Sequence, residues 1–164
     1  MKQWKLNSMP DGIVLTPEDF WQFSLGHYAQ AGVEPACLSL QNDFGGNVNL
    51  ALLLHWLDCQ QLSLSNQLIQ NLIDTASHSD SLLRQYRTMR KNLKPQLDHD
   101  GYQQLLRFEL TLEKQQQSEL ITKLNTSTSP FLPSTHTPNS CNLERYCHQV
   151  GADILLLPLQ ANTP

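Results

Sequence analysis

Apolar residues recur along most of this chain at spacings of three and four, in blocks separated by turn-forming residues. The first block opens at Thr16-Pro17-Glu18-Asp19. Threonine can cap a helix, proline suits the first helical position, and the two acids favour the positive end of the helix dipole. Phe20, Trp21, Phe23, Leu25 and Tyr28 carry the predicted helix to about Gln30. A second, short helix is expected from Glu34-Pro35 through Leu40, stopped by Gly45-Gly46. Asn47 then caps a third, reaching about Gln61. Leu50, Leu53, Leu54 and Leu57 fill one of its faces, and Leu52, Trp56 and Cys59 fill another. A helix that is apolar nearly all round is a buried one, so this segment is the expected centre of the fold.

Ser63 or Ser65 opens a fourth helix with Leu68, Ile69, Leu72 and Ile73 in register. Ser77-His78-Ser79-Asp80 reads as a break and a new cap, which starts a fifth helix running to about Leu93, before Pro95. After a turn at Asp98-His99-Asp100-Gly101, the longest helix is expected from about Tyr102 to Leu124. Residues 126–141 are uncharged and rich in Ser, Thr and Pro, the composition of a flexible loop. Asn142 is read as the cap of a last short helix to Val150, and the apolar tail Ile154–Leu159 is expected to dock back on the core.

Composition agrees with helices throughout. Leucine occurs 30 times against 9 for valine and isoleucine together, and unbranched side chains lose less rotamer freedom in a helix than β-branched ones. The longest apolar runs fall far short of the ~20 residues that a membrane-spanning helix needs. The lysines near Met1 are followed by Asn7, Pro10 and Gly12 rather than by an apolar stretch, so no secretory signal is expected. Cys37, Cys59, Cys141 and Cys147 form no CxxC pair and are too scattered for a disulfide scaffold. A cytoplasmic protein with reduced thiols follows.

Residues 21–57 contain Trp21, Ser24, Tyr28, Gly32-Val33, Ala36-Cys37-Leu38, Leu40-Gln41, Gly46, Val48-Asn49, Leu52-Leu53 and Trp56-Leu57. This pattern resembles a family of uncharacterised, mainly proteobacterial proteins of about this length, catalogued as a domain of unknown function. Arg84, Arg87 and Arg90 followed by Leu93-Lys94, and Glu109-Leu110 with Glu113, resemble its second half. The likeness covers most of residues 17–124. Asn47 stands where the family pattern leads one to expect Asp, and either residue caps a helix. The resemblance implies a helical bacterial protein and carries no activity with it.

Few constellations offer chemistry. His55 and Cys59, four apart on one helix, could share a metal ion with Asp58 behind the imidazole and the Cys147-His148 pair completing the set. No motif supports that spacing, and a packed cysteine beside a hydrogen-bonded histidine explains it better. Neither metal nor cofactor is therefore expected. Cys37 and Cys59 sit among leucines, a poor setting for a nucleophile, and Gly45-Gly46 without a preceding strand or a lysine is a weak anion site. Glu109 and Glu113, spaced i,i+4, repel unless they are paired, and the preceding helix offers arginines.

The most distinctive segment is residues 81–97. It holds Arg84, Arg87, Arg90, Lys91 and Lys94 and no acid, in a chain of net charge -4. Arginine suits bidentate contacts with phosphate or carboxylate. These five cations are the candidate partner-binding face, toward an acidic protein, RNA or phosphate, unless Glu109 and Glu113 neutralise them. The expectation is an all-α single domain of six or seven helices around a buried central helix. Residues 1–125 form its core, 126–141 a flexible loop, and 142–164 a short helix and docked tail. Its expected function is that of a non-catalytic interaction or adaptor protein with no catalytic residues. The alternative is a small enzyme or small-molecule binder with a pocket lined by Trp21, Tyr28, His55 and Trp56.

Overall fold

A computed structural model describes residues 14–133 and 138–162. The Met1–Gly12 stretch read above and the middle of the Ser/Thr/Pro segment lie outside the described residues. The rest is all-α, with α1 (Pro17–Tyr28), α2 (Val33–Asp43), α3 (Val48–Cys59), α4 (Asn66–Leu93), α5 (His99–Thr126), α6 (Asn142–Val150) and α7 (Leu156–Leu159). Thr16, Asn47 and Ser65 cap α1, α3 and α4 by accepting from the backbone N–H three residues on. Among the described residues, no helix is long and apolar enough to cross a membrane.

Helix α3 is the centre. Leu50, Leu53, Leu54 and Leu57 are fully buried in one cluster with Phe20, Leu40, Leu72 and Leu120. The chain reaches α3 through Gly45, at φ +67°, and Gly46, where a Cβ would lie 2.5 Å from Leu40 Cδ1. Helices α4 and α5, 28 residues each, pair as a hairpin about 42 Å long at 1.5 Å per residue. Its near end joins the core through Leu68, Leu72, Leu120 and Leu124. Its far end, from Leu82 to Phe108, contributes nothing to that cluster.

Three expectations are corrected. The chain does not break at Ser77–Asp80, because Ser77, His78 and Ser79 bond back to the carbonyls of Asp74 and Ala76 and are satisfied within one continuous helix. The turn at 98–101 is the start of α5, with Asp98 accepting from Gly101 N. In the described part of the segment after α5, Leu132 N donates to Ser63 O at 2.8 Å and Phe131 packs on the core. Asn142 is not the cap of α6. Cys141 is, while Asp58 of α3 accepts from Asn142 N and Leu143 N at 2.8 and 3.0 Å. In the tail, Leu159 is buried and Leu155 and Leu156 pack on the core, whereas Ile154 and Leu157 face out.

Candidate functional site

The basic segment is split by helix geometry. Arg87 and Arg90, three apart, fall with Leu83 on the side of α4 that meets α5. Arg87 reaches both Glu109, at 3.4 Å, and Glu113, while Arg90 pairs with Glu109 and donates to the Tyr102 hydroxyl at 2.8 Å. All four side chains are only 13–19 % exposed. They form a neutral charged seam, so the five-cation face does not exist. Lys91 and Lys94 remain exposed, with Lys94 Nζ lying 5.2 Å from the Tyr102 ring centroid. Arg84 is exposed too, but it is shared with Asp80 at 2.8 Å and Gly45 O.

Turning the charges inward leaves apolar residues outside. Leu82, Met89 and Phe108 are 59 %, 44 % and 53 % exposed. Leu82, Tyr86, Met89 and Leu93 follow one another at spacings of four, three and four, which aligns them on one face of α4. Tyr86 joins this face to α5: its hydroxyl donates to Leu105 O at 2.6 Å and its ring sits 5.5 Å from that of Phe108. The far half of the hairpin thus buries charged side chains beside Leu83 and leaves Leu82, Met89 and Phe108 outside among exposed polar residues.

Where the hairpin leaves the core, an amide network ties four helices together. Gln116 Oε1 accepts from Asn47 Nδ2 and Asn49 Nδ2 at 3.0 and 2.9 Å, and its Nε2 donates to Ser79 Oγ and Ala76 O. Asn49 also donates to Glu113, which links the network to the charged seam. Gln117 Nε2 donates to Asn49 Oδ1 and to Ser24 Oγ of α1. Ser24, Asn49, Gln116 and Gln117 are all buried, and only Gln117 Oε1 in this group lacks a partner. With every other polar atom of the group paired, the network favours one arrangement of its helices, since any slip strands several buried polar groups at once.

The four residues of the expected pocket have different neighbours. Trp21 lies beneath Lys114, whose Nζ is 4.9 Å from the ring centroid. Tyr28, on the same side of α1, is near Glu113 and Arg87, and burial and Glu34 push its hydroxyl up to about 12. His55 and Trp56 lie against Phe20, Phe23 and His27 of α1. Trp21 and Tyr28 are separated from them by the 3.6-residue period of that helix. The rings of His27 and His55 are 4.4 Å apart, and His27 Nε2 lies 2.6 Å from Leu159 O of the tail. Burial and the neighbouring His27 push the His55 imidazole down to about 4. Its Nδ1 is buried without a partner.

Cys37 and Cys147 are buried, whereas Cys59, read from the sequence as a packed cysteine, is exposed at the C-terminal end of α3. His55 Nε2 approaches Cys59 Sγ at 3.6 Å. Asp58, however, serves the α6 N-terminus rather than the imidazole, Cys147 is in the core, and His148 is turned to Asp153. No group of three or more His, Cys, Asp or Glu side chains that could hold a metal ion occurs among the described residues. Burial pushes the Cys37 and Cys147 thiols up to about 12, which keeps both protonated near neutral pH.

With this geometry in view, residues 19–120 match the family DUF2390, described as a protein of unknown function. The chain belongs to that family. No curated protein and no solved structure matches it. The matched span runs from α1 into α5, so the charged seam and the amide network lie inside the family region, while α6 and α7 lie beyond it. The sequence reading missed the network. Its signal was available: Glu113, Gln116 and Gln117 occupy the positions that Leu120, Ile121 and Leu124 continue at core spacing.

Proposed function

We propose that this chain is a non-catalytic interaction protein whose contact element is the far half of the α4–α5 hairpin. The observation that carries this reading is the inversion of that half. Leu82, Met89 and Phe108 stand in water while four charges fill the seam behind them. A monomer gains nothing from exposing three large apolar side chains on one projecting face, and such patches mark contact sites. The anionic-partner reading is left with Lys91, Lys94 and a shared Arg84, and is the weaker of the two. A cytoplasmic setting is the natural one for a chain with four free cysteines.

A pull-down from cell extract, with and without nuclease, tests the proposal against a Met89→Gln, Phe108→Gln variant. Loss of the bound partner with unchanged helicity supports it. Partners that survive this variant but leave with nuclease, or with Lys91→Gln and Lys94→Gln, restore the anionic reading. A small-molecule role for the His27–His55 cluster has one observation in its favour, the unpartnered His55 Nδ1. A ligand that raises the melting temperature of the natural protein but not of His55→Phe would establish it.

A further inference from the structure

Two imidazoles meet where the C-terminal tail docks. His27 of α1 is buried and His55 of α3 is half-buried, with their rings 4.4 Å apart and Phe23 against both. Leu159 O can only accept, so the 2.6 Å contact places the His27 proton on Nε2 and ties α1 to the tail. His27 Nδ1 is left to Gln30 Nε2 at 3.5 Å. His55 turns Nε2 to Cys59 Sγ and keeps Nδ1 buried without a partner.

The acids of the surrounding elements are engaged elsewhere. On α3, Asp58 accepts from the α6 N-terminus, and Cys59 is kept uncharged by desolvation of its sulfur and by Asp58. On the tail, Asp153 pairs with His148, and Leu156–Leu159 carries no charge. On α2, Asp43 accepts from Ser39, and Glu34 acts on Tyr28 and Cys37. On α1, Glu18 and Asp19 stand in the first turn, at least about 12 Å along the helix from His27. A proton on either ring thus brings a charge into an apolar site, beside a second ionisable ring and with no carboxylate to pair it. Relief requires water, and α7 is the least firmly held cover. It is four residues long, and only Leu159 of it is buried. Helices α1 and α3 are fixed to each other by Phe20, Leu50 and Leu53 in the core and by the Ser24–Gln117–Asn49 bonds.

We propose that His27 and His55 form an acid-sensitive latch on the C-terminal tail, in which protonation frees Leu156–Leu159 while α1–α6 stay folded. The direction follows from burial. His55 takes its proton near 6.5 in water and near 4 with the tail docked, so docking is undisturbed above pH 6.5 and weakens as pH falls toward 4. From His55 alone, the undocking equilibrium should rise about twentyfold between pH 7 and pH 5. None of these residues lies on α4 or α5, so the latch is separate from the contact role of the hairpin.

Hydrogen exchange of the full-length protein at pH 7 and pH 5, normalised to the intrinsic rate at each pH, tests it. Residues 154–162 should exchange faster than residues 48–59 at both pH values and lose about twentyfold protection between them. That loss should be the same in about 1 M urea, because freeing a short tail exposes little surface. His55→Phe should hold the protection of 154–162 level across the two pH values, as should His55→Gln, and circular dichroism should show both variants folded. Protection of 154–162 that is unchanged at pH 5 in the natural protein overturns the latch, as does a loss that persists in both variants. Exchange of 154–162 at the rate of 48–59, rising together with urea, would mean that acid unfolds the whole protein, and it overturns the latch as well.

Discussion

Near the core, α4 and α5 meet through Leu68, Leu72, Leu120 and Leu124. Further out, the same two helices meet through Arg87, Arg90, Glu109 and Glu113. Apolar burial is non-directional and scales with area, so the near half supplies stability and tolerates small shifts. The far half is different. Desolvating four charges offsets much of what their attraction returns, and Arg87 fits between Glu109 and Glu113 in one register only. The inner half holds the hairpin on the protein, and the outer half fixes how its two helices align and which residues face out. The amide network of Asn49, Gln116 and Gln117 lies at the boundary and shares Glu113 with the seam.

The largest test of that contrast is on the core side. Leu72→Ala, at a fully buried position, should lower unfolding stability by ~2–5 kcal/mol, and Leu53→Ala in α3 by a similar amount, because each leaves a cavity. Chemical denaturation measures both, and a loss under ~1 kcal/mol would show that the core end is not where stability resides. A smaller effect is expected in the seam. Glu109→Ala leaves Arg90 with only the Tyr102 hydroxyl and Arg87 with only Glu113, and the group still touches water, so the loss should be about 1–3 kcal/mol. Replacing Arg87, Arg90, Glu109 and Glu113 together with leucine or methionine should cost less than that single change. The reverse ranking would make the ion pairs net contributors and erase the difference between the two halves.

Acid should act on the core end. The unfolded chain protonates His55 near 6.5, whereas folded His55 resists until about 4. Its contribution is therefore complete above pH 6.5, is lost as pH falls from 6.5 toward 4, and is level below that. Urea midpoints across this range should fall for the natural protein, and His55→Phe should remove that part of the slope. The smallest effect belongs to the exposed cations of the outer half. Lys91→Gln with Lys94→Gln should change stability by within about 0.5 kcal/mol, and a larger loss would mean that these side chains help to hold the tip.

Much of the fold was legible in local pattern. The all-round leucines of Leu50–Leu57 marked the buried helix, Thr16 and Asn47 marked true helix starts, and Ser65 proved to be the cap of the two serines offered for α4, because caps and periodicity act within a few residues. Ser77–Asp80 misled the reading, since the side chains that can end a helix can also bond back into one. Asn142 misled it for another reason. The α6 N-terminus is closed by Asp58, 84 residues earlier in the chain, and no local rule reaches that far. The arginine run was visible in the sequence, as were Glu109 and Glu113 as its possible partners, but the sequence did not decide between a bridged seam and a free face.

What the sequence determined by itself is the helical class, most of the helix starts, the identity of the central helix and the supply of charges, because each depends on spacing within a segment. Tertiary structure decided where those charges point. Arg87 could face solvent or α5 with equal local propensity, and only the register of a second helix, set by the leucines at one end and the Asn49–Gln116 bonds at the boundary, brings Glu109 and Glu113 opposite it. Once the arginines are drawn in, Leu82, Met89 and Phe108 are left outside. A helix has a fixed circumference, so the residues that fill its seam determine which ones meet the water.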